Sequence, residues 1–298
     1  MIKALGVLCV FSLIAAAQSS SNKPARDRLI PGAWSVRWQP MRLVNGSPVG
    51  FRVVAPVRLQ SLSGDWFGRQ VFFSANQSAA GWYGIAGVSL EARPGTYTLH
   101  LKGVTRAGKE VSWERQVAVH AGKYPRIAVK VATKFTEPNS EQVQQIKQAS
   151  EVKAQVFRHV EPQREWSGRF VAPVTARVSD LFGTRRVFNG ETKSVHEGLD
   201  YAVPSGTPVA AINAGTVILA RPLYFEGNCV MLDHGQGLLS LYMHLSEFKV
   251  KEGQQVERGE ILGLSGGTGR ATGPHLHLAV RWQGIYVNPA TLLKMSWR

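Results

Sequence analysis

The chain has 298 residues, 44% of them hydrophobic and 9% aromatic, enough to bury a sizeable core and to form about two domains, which excludes a wholly disordered protein. Its formal charge is +15, yet it has no interleaving of aromatic and basic residues of the RNA-binding type, no helix-turn-helix pattern and no zinc-finger cysteines. The charge therefore suits anionic envelope polymers or lipid head groups as partners rather than nucleic acid; a solvated basic surface that aids solubility is the plainer alternative.

In chain order, the first segment is "MIKALGVLCVFSLIAAAQSSS", with Lys3, an apolar run from Ala4 to Ile14, and Ala15 and Ala17 placed to flank a cleavage site. This predicts a secretory signal peptide over residues 1–17, cleaved near Gln18. The apolar run is shorter than the roughly 20 residues a membrane-spanning helix needs. The expected protein is thus exported to the periplasm or cell wall, with no stable membrane anchor after cleavage. Cys9 lies in the signal, after "LGVL", which does not resemble a lipoprotein acylation site. Cys229 is then the mature chain's single thiol, so its stability must come from a core or a metal rather than from an internal disulfide.

Residues 22–136 carry short alternating runs, among them "GFRVVAPVRLQSL", "TYTLHLKGV", "EVSWERQVAV" and "RIAVKVATKF", separated by turn signals such as "VNGSPVG" and "RAGKE". That spacing predicts an antiparallel β-sandwich. Its tryptophans, Trp34, Trp38, Trp66, Trp82 and Trp113, are expected mostly in the core, and His100 and His120 are expected to be structural. Residues 137–167 differ in kind. Asn139 or Ser140 is a cap, Val143, Ile146, Val152 and Val156 recur at helical spacing, and the pattern stops before Pro162, predicting one amphipathic helix in a linker.

From Gly168 to Arg298 strand patterns and glycine-rich turns return, and five of the eight histidines fall here: His196, His234, His244, His275 and His277. Gly198 interrupts any helix between His196 and Asp200, so that stretch is strand or loop, in which residues four apart share a face. His275 and His277, two apart in "GPHLHLAV", share a face by the same rule. Together these side chains exceed the three histidine or carboxylate ligands of a catalytic zinc site. His234, in the turn-like "LDHGQG", reads as structural, and Cys229, in "GNCVMLDHG", as a small buried hydrophobe; a cysteine hydrolase built on the two would need a polar, exposed thiol that "CVML" does not offer.

The combination of "SVHEGLD" (194–200), "LYMHLS" (241–246) and "TGPHLHL" (272–278), with "SDLFGTRR", "PSGTPVAAINAGTV", "VKEGQQVERGEILGLSGGTGRATGP" and the closing "VNP", resembles the lysostaphin-type zinc metallopeptidases that cut peptide bridges in bacterial peptidoglycan. The resemblance covers about 130 residues at the C-terminal end; the first part, more loosely, resembles the immunoglobulin-like modules that sometimes precede such domains. The implied fold is mainly β: an N-terminal immunoglobulin-like sandwich over 22–136, a helical linker over 137–167, and a metallopeptidase domain over 168–298 with an open groove. The resemblance implies one Zn2+ per chain held by His196, Asp200 and His277, with His244 and His275 as the catalytic pair and a peptidoglycan peptide as substrate.

The chemistry suits amide hydrolysis, because zinc lowers the pKa of bound water from 15.7 to roughly 7 and an unligated histidine can take the proton and return it to the leaving amine. A second histidine that donates can stabilise the oxyanion; the residues do not divide these duties between His244 and His275. The rival is a non-enzymatic wall-binding protein that activates a separate peptidoglycan hydrolase, and the filled ligand set argues against it. In a double-membrane host the expected bond is the D-alanyl to diaminopimelate crosslink, and in some single-membrane hosts a glycine bridge.

Overall fold

The computed structural model describes residues 33–75, 81–158, 160–188, 190 and 192–296. The predicted signal peptide lies outside these residues. Among them no helix is long and apolar enough to cross a membrane.

The N-terminal runs form two sheets. One pairs Ser35–Gln39, Pro48–Val54, Trp82–Gly87 and Ser74–Ala75 in that order; the other pairs Leu43–Val44, Glu110–His120, Gly95–Thr105, Leu59–Trp66 and Arg69–Phe72. Alternation sets their faces: along Gly95–Thr105, Leu99 and Leu101 are buried while His100 and Lys102 face solvent, as the two-residue side-chain period of a strand requires. His100 sits opposite Glu114 and its Nδ1 lies 2.9 Å from that carboxylate, a structural use. Trp66 is fully buried and donates Nε1–H to the Gly87 carbonyl at 2.9 Å, while Trp34 stacks on Trp113.

The predicted helix spans Ser140–Val156, and Asn139 caps it in a box with Gln142, each side chain satisfying a backbone N–H of the other residue. Its contact face differs from the expected one. Ala149 is its buried residue, Val152 and Val156 pack beside it on the metallopeptidase-like part, and Val143 is 51% exposed. The helix rests on its second half, so the first turn needs no apolar face.

The C-terminal part is built on an eight-stranded antiparallel sheet in the order Val178–Asp180, Leu199–Tyr201, Leu276–Trp282, Leu238–Leu245, Gly227–Asp233, Gly215–Leu223 and Gln255–Val256, with Ile285–Val287 also paired to Leu276–Trp282. Two short parallel pairs depart from the antiparallel pattern. Leu43–Val44 runs beside Val119 and His120, and Arg126–Val129 beside Arg185–Phe188. The second pair ties the end of the sandwich region to the first strands of the C-terminal part.

One continuous core joins these elements, running from Val36, Phe51 and Trp66 through Trp166 and Phe170 to Tyr242, Leu278 and Trp282. The two regions meet at Gly87, where a β-carbon would lie 2.7 Å from Val287, 3.1 Å from Ile285 and 3.3 Å from Trp282. Only a residue without a side chain lets the sheets approach so closely. Gly87→Val is expected to destabilise the protein by about 1–3 kcal/mol through overpacking, read as a lower urea midpoint in tryptophan fluorescence; a midpoint unchanged from wild type would mean that the sheets do not pack this tightly.

Candidate metal centre and its groove

Three side chains converge on one point. Asp200, on Leu199–Tyr201, pairs directly across the sheet with His277, on Leu276–Trp282, so both project from the same face. The stretch from His196 to Asp200 is loop running into strand, with no helix, as expected. His196 follows the end of the strand Thr192–Val195, which belongs to another sheet, and Glu197 and Gly198 turn the chain into the strand that carries Asp200. Asp200 Oδ1 lies 3.0 Å from His196 Nε2 and 2.7 Å from His277 Nδ1, and those two nitrogens are 3.0 Å apart. All three residues are buried.

The surroundings fix which atoms face inward. His196 Nδ1 lies 2.9 Å from the Leu181 carbonyl; a carbonyl only accepts, so the proton is on Nδ1 and the Nε2 lone pair is left for the centre. Asp200 is oriented from its other oxygen, since Arg186 donates to Oδ2 at 2.6 Å while also gripping Asp180. Burial alone would raise the Asp200 pKa, but hydrogen bonds from His196 and His277 and their charge outweigh it and hold the carboxyl below the usual carboxylate range. Burial lowers the pKa of His277, keeping the imidazole neutral, the form that ligates metal. Two nitrogens and one carboxylate oxygen converging on one point are the donor set of a catalytic zinc site.

Gly198 makes this convergence sterically feasible. A β-carbon there would intrude on the His277 ring and stand 2.7 Å from the Leu278 carbonyl. In the sequence Gly198 is visible as a helix breaker; its larger role is to admit the ring of a ligand from the neighbouring strand.

His244 and His275 stand beside the three. Their ring centroids are 4.7 Å apart, and His244 is 6.1 Å from His277. His275 Nε2 is 3.9 Å from Asp200 Oδ1. Each is oriented through its Nδ1–H, His244 to the Thr268 carbonyl and His275 to that of Gly273, both at 2.8 Å, so each offers an Nε2 lone pair. His244 reaches the groove through a bulge. Asn228 pairs with Leu245 and Val230 with Tyr242, so Met243 and His244 together oppose Cys229, and His244 takes a left-handed backbone with φ 64°. In regular alternation neighbours face opposite sides, whereas Met243 and His244 both line the groove; bulges near active sites re-aim side chains in this way. Burial pushes the His244 pKa down to about 3, with the charges of His277 and His275 adding to it.

The groove has two lobes, of about 250 Å3 and about 350 Å3, and Arg186, His244 and Arg270 line both. Lys153 of the helix Ser140–Val156 lines the first and is ion-paired with Glu226; Ile127 and Val129 line the second. His234 and Cys229 lie elsewhere. Both are fully buried, with His234 held between the Ala214 carbonyl and the Ser240 hydroxyl and its pKa pushed down to about 4, and the Cys229 thiol pushed well up by burial. These are structural roles. Sequence reasoning missed Arg186, on the strand Arg185–Phe188, and Arg270, in the glycine-rich "GGTGRATG", each of which reads in the sequence only as one more basic residue.

The sequence profile of Peptidase family M23 matches residues 194–289. The chain is 46% identical over 114 residues to the peptidoglycan DD-endopeptidase ShyA of Vibrio cholerae, which covers 38% of this chain and 26% of that protein. It is 44% identical over 119 residues to the DD-carboxypeptidase/endopeptidase Mpg of Neisseria meningitidis, covering 40% and 27%. The chain thus spans about a quarter of the length of these relatives. A crystal structure of a putative peptidase M23 from Pseudomonas aeruginosa aligns over 90% of this chain and 96% of that one, with TM-score 0.62 and 29% identity. With its profile match centred on the strands that bring His196, Asp200 and His277 together, the chain belongs to peptidase family M23.

Proposed function

We propose that the protein is a zinc-dependent endopeptidase that hydrolyses the peptide crosslinks of bacterial peptidoglycan. The observation that carries this is the meeting of His196 Nε2, Asp200 Oδ1 and His277 Nδ1 beside two further histidines whose Nε2 atoms are left free. In this reading His196, Asp200 and His277 hold the ion, and His244 and His275 form the proton-handling pair. A bound zinc ion would supply Lewis acidity to water and to a peptide carbonyl. The chain's own groups do the rest. Nε2 of one free histidine accepts a proton from the attacking water and delivers it to the departing amine nitrogen, while the other ring, when protonated so that it carries an Nε2–H as well as its Nδ1–H, donates to the oxygen on which charge develops. Both rings are held at Nδ1 by carbonyls, so neither has to reorient during the reaction.

The names of the relatives, a DD-endopeptidase and a DD-carboxypeptidase/endopeptidase, favour a bond between two D-configured centres, as in the D-alanyl to diaminopimelate crosslink. Action on that polymer agrees with export to the periplasm or cell wall through a signal peptide over 1–17. The domain assignment follows: a sandwich region over 22–136, a linker over 137–167 that lends Lys153 to the groove, and a metallopeptidase domain over 168–298.

Mass spectrometry of fragments released from purified peptidoglycan tests the activity. The zinc-loaded protein is expected to create new amino ends within crosslink peptides, and chelation is expected to abolish them; wall that binds the protein without yielding fragments would instead make it a binding or activating protein. His244→Ala and His275→Ala are each expected to cost about 100-fold or more in rate while retaining one zinc per chain, and loss of zinc from either would move that residue into the ligand set. Gly198→Ala should do the opposite, displacing the His277 ring and weakening zinc binding by about 10-fold or more in a chelator competition, the size seen when ligand orientation is disturbed. Wild-type affinity in that variant would contradict the packing of His277 against Gly198.

A further inference from the structure

Arg270 lies between the strands Ile261–Leu264 and Leu276–Trp282, in the segment that also supplies the Thr268 carbonyl to His244 and the Gly273 carbonyl to His275. Its backbone N–H donates to the Phe225 carbonyl at 2.8 Å, and its guanidinium carbon lies 4.6 Å from the Phe225 ring centroid and 4.9 Å from that of Phe188. Phe225 is braced in turn by Tyr224, 4.9 Å away. A guanidinium bracketed by two rings is held in place while the N–H donors on its edges remain available.

The other lysine and arginine side chains lining the groove have partners. Arg186 is satisfied by Asp180 and Asp200, and Lys153 by Glu226. Among the described residues no carboxylate is paired with Arg270. Its side chain is partly buried, and that burial together with the nearby Arg186 lowers its pKa against the opposing charge of Glu226; a guanidinium keeps its charge in proteins. A desolvated cation without a partner is costly, and this one borders both lobes of the groove next to His244. An anion on the ligand would complete the arrangement.

We infer that Arg270 receives a substrate carboxylate flanking the amide that is cut. This rests on the endopeptidase reading above and narrows it to peptides in which the carbon bonded to the departing amine nitrogen carries a free carboxylate. A C-terminal amino acid has that group, and so does the acceptor end of a crosslink made through a diamino diacid. A glycine bridge running on into further peptide bonds has a neutral amide there. The planar fork of arginine matches a carboxylate through two parallel N–H···O bonds, and the rings on either side keep the fork aimed.

The test uses two synthetic peptides of one sequence that differ only in bearing a carboxylate or a carboxamide on that carbon. The zinc-loaded wild type is expected to cleave the acid with a kcat/KM about 10-fold or more above the amide, the scale of a charge-assisted bidentate contact. Arg270→Met should bring the ratio to near one, mainly by slowing the acid. Arg270→Lys, which keeps the charge and loses the fork, should fall between. Zinc content and thermal unfolding of both variants establish that they are folded and loaded, and the wild-type ratio stands even if a variant is not. Equal cleavage of acid and amide by the wild type, or an undiminished ratio in a folded Arg270→Met, overturns the inference and leaves the endopeptidase reading intact. Failure of the wild type to cut either peptide or peptidoglycan removes that reading, and this inference with it.

Discussion

The pairing of Leu199–Tyr201 with Leu276–Trp282 is the constraint on which the rest of the site depends. Its register sets Asp200 against His277, and a one-residue slip would turn the whole ligand face of one strand to the opposite side. Register is therefore where the fold defines the chemistry. It is secured by burial rather than by the polar groups themselves: Leu199, Tyr201, Leu276 and Leu278 are all in the core, so a slip would also expose apolar side chains. The ligands occupy positions that the hydrophobic pattern already holds.

Around that pair, backbone carbonyls assign each imidazole its task. His196, His244 and His275 are each oriented through Nδ1 by a carbonyl, from Leu181, Thr268 and Gly273 respectively, whereas His277 turns Nδ1 itself towards Asp200. Two histidines only two residues apart thus present different nitrogens. Leu276 between them fills the core, so the H-x-H spacing serves packing and chemistry at once. Arg186 extends the same logic to the carboxylate by occupying one oxygen of Asp200 and leaving the other to face the histidines.

Much of this was legible in the sequence because it depends on local period. Alternation marked the β regions, Asn139 or Ser140 marked the helix start, where the structure puts the cap at Asn139, and the two-residue spacing of His275 and His277 placed them on one side. What stayed hidden depends on irregularity or on contacts distant in the chain. The bulge at Met243–His244 exists through the pairing with Cys229, and no pattern in "LYMHLS" announces it. The change of sheet between Val195 and Leu199, the pressure of His277 on Gly198, and the exposed first turn of the helix are likewise settled by neighbours far away in sequence. Arg186 and Arg270 read as two more basic residues in a basic chain until their partners, or the lack of one, are known.

Composition suggested that the excess positive charge serves an extended anionic partner, but the groove points to a more local use. Its walls come from several separate parts of the chain: Ile127 and Val129 from the strand Arg126–Val129, Lys153 from the helix, and Phe225 and Arg270 from connecting turns. Lys153 and Arg186 are spent on internal carboxylates, which leaves Arg270 as the groove's guanidinium without a carboxylate paired to it among the described residues. On the proposed reading, Arg270 and a bound metal would be two fixed positive positions that orient an anionic peptide by its spacing of charges, something a diffuse basic surface cannot do. On the same reading Ile127, Val129 and Lys153 would narrow the track available to a peptide, because they wall the groove from outside the sheet that carries Asp200 and His277.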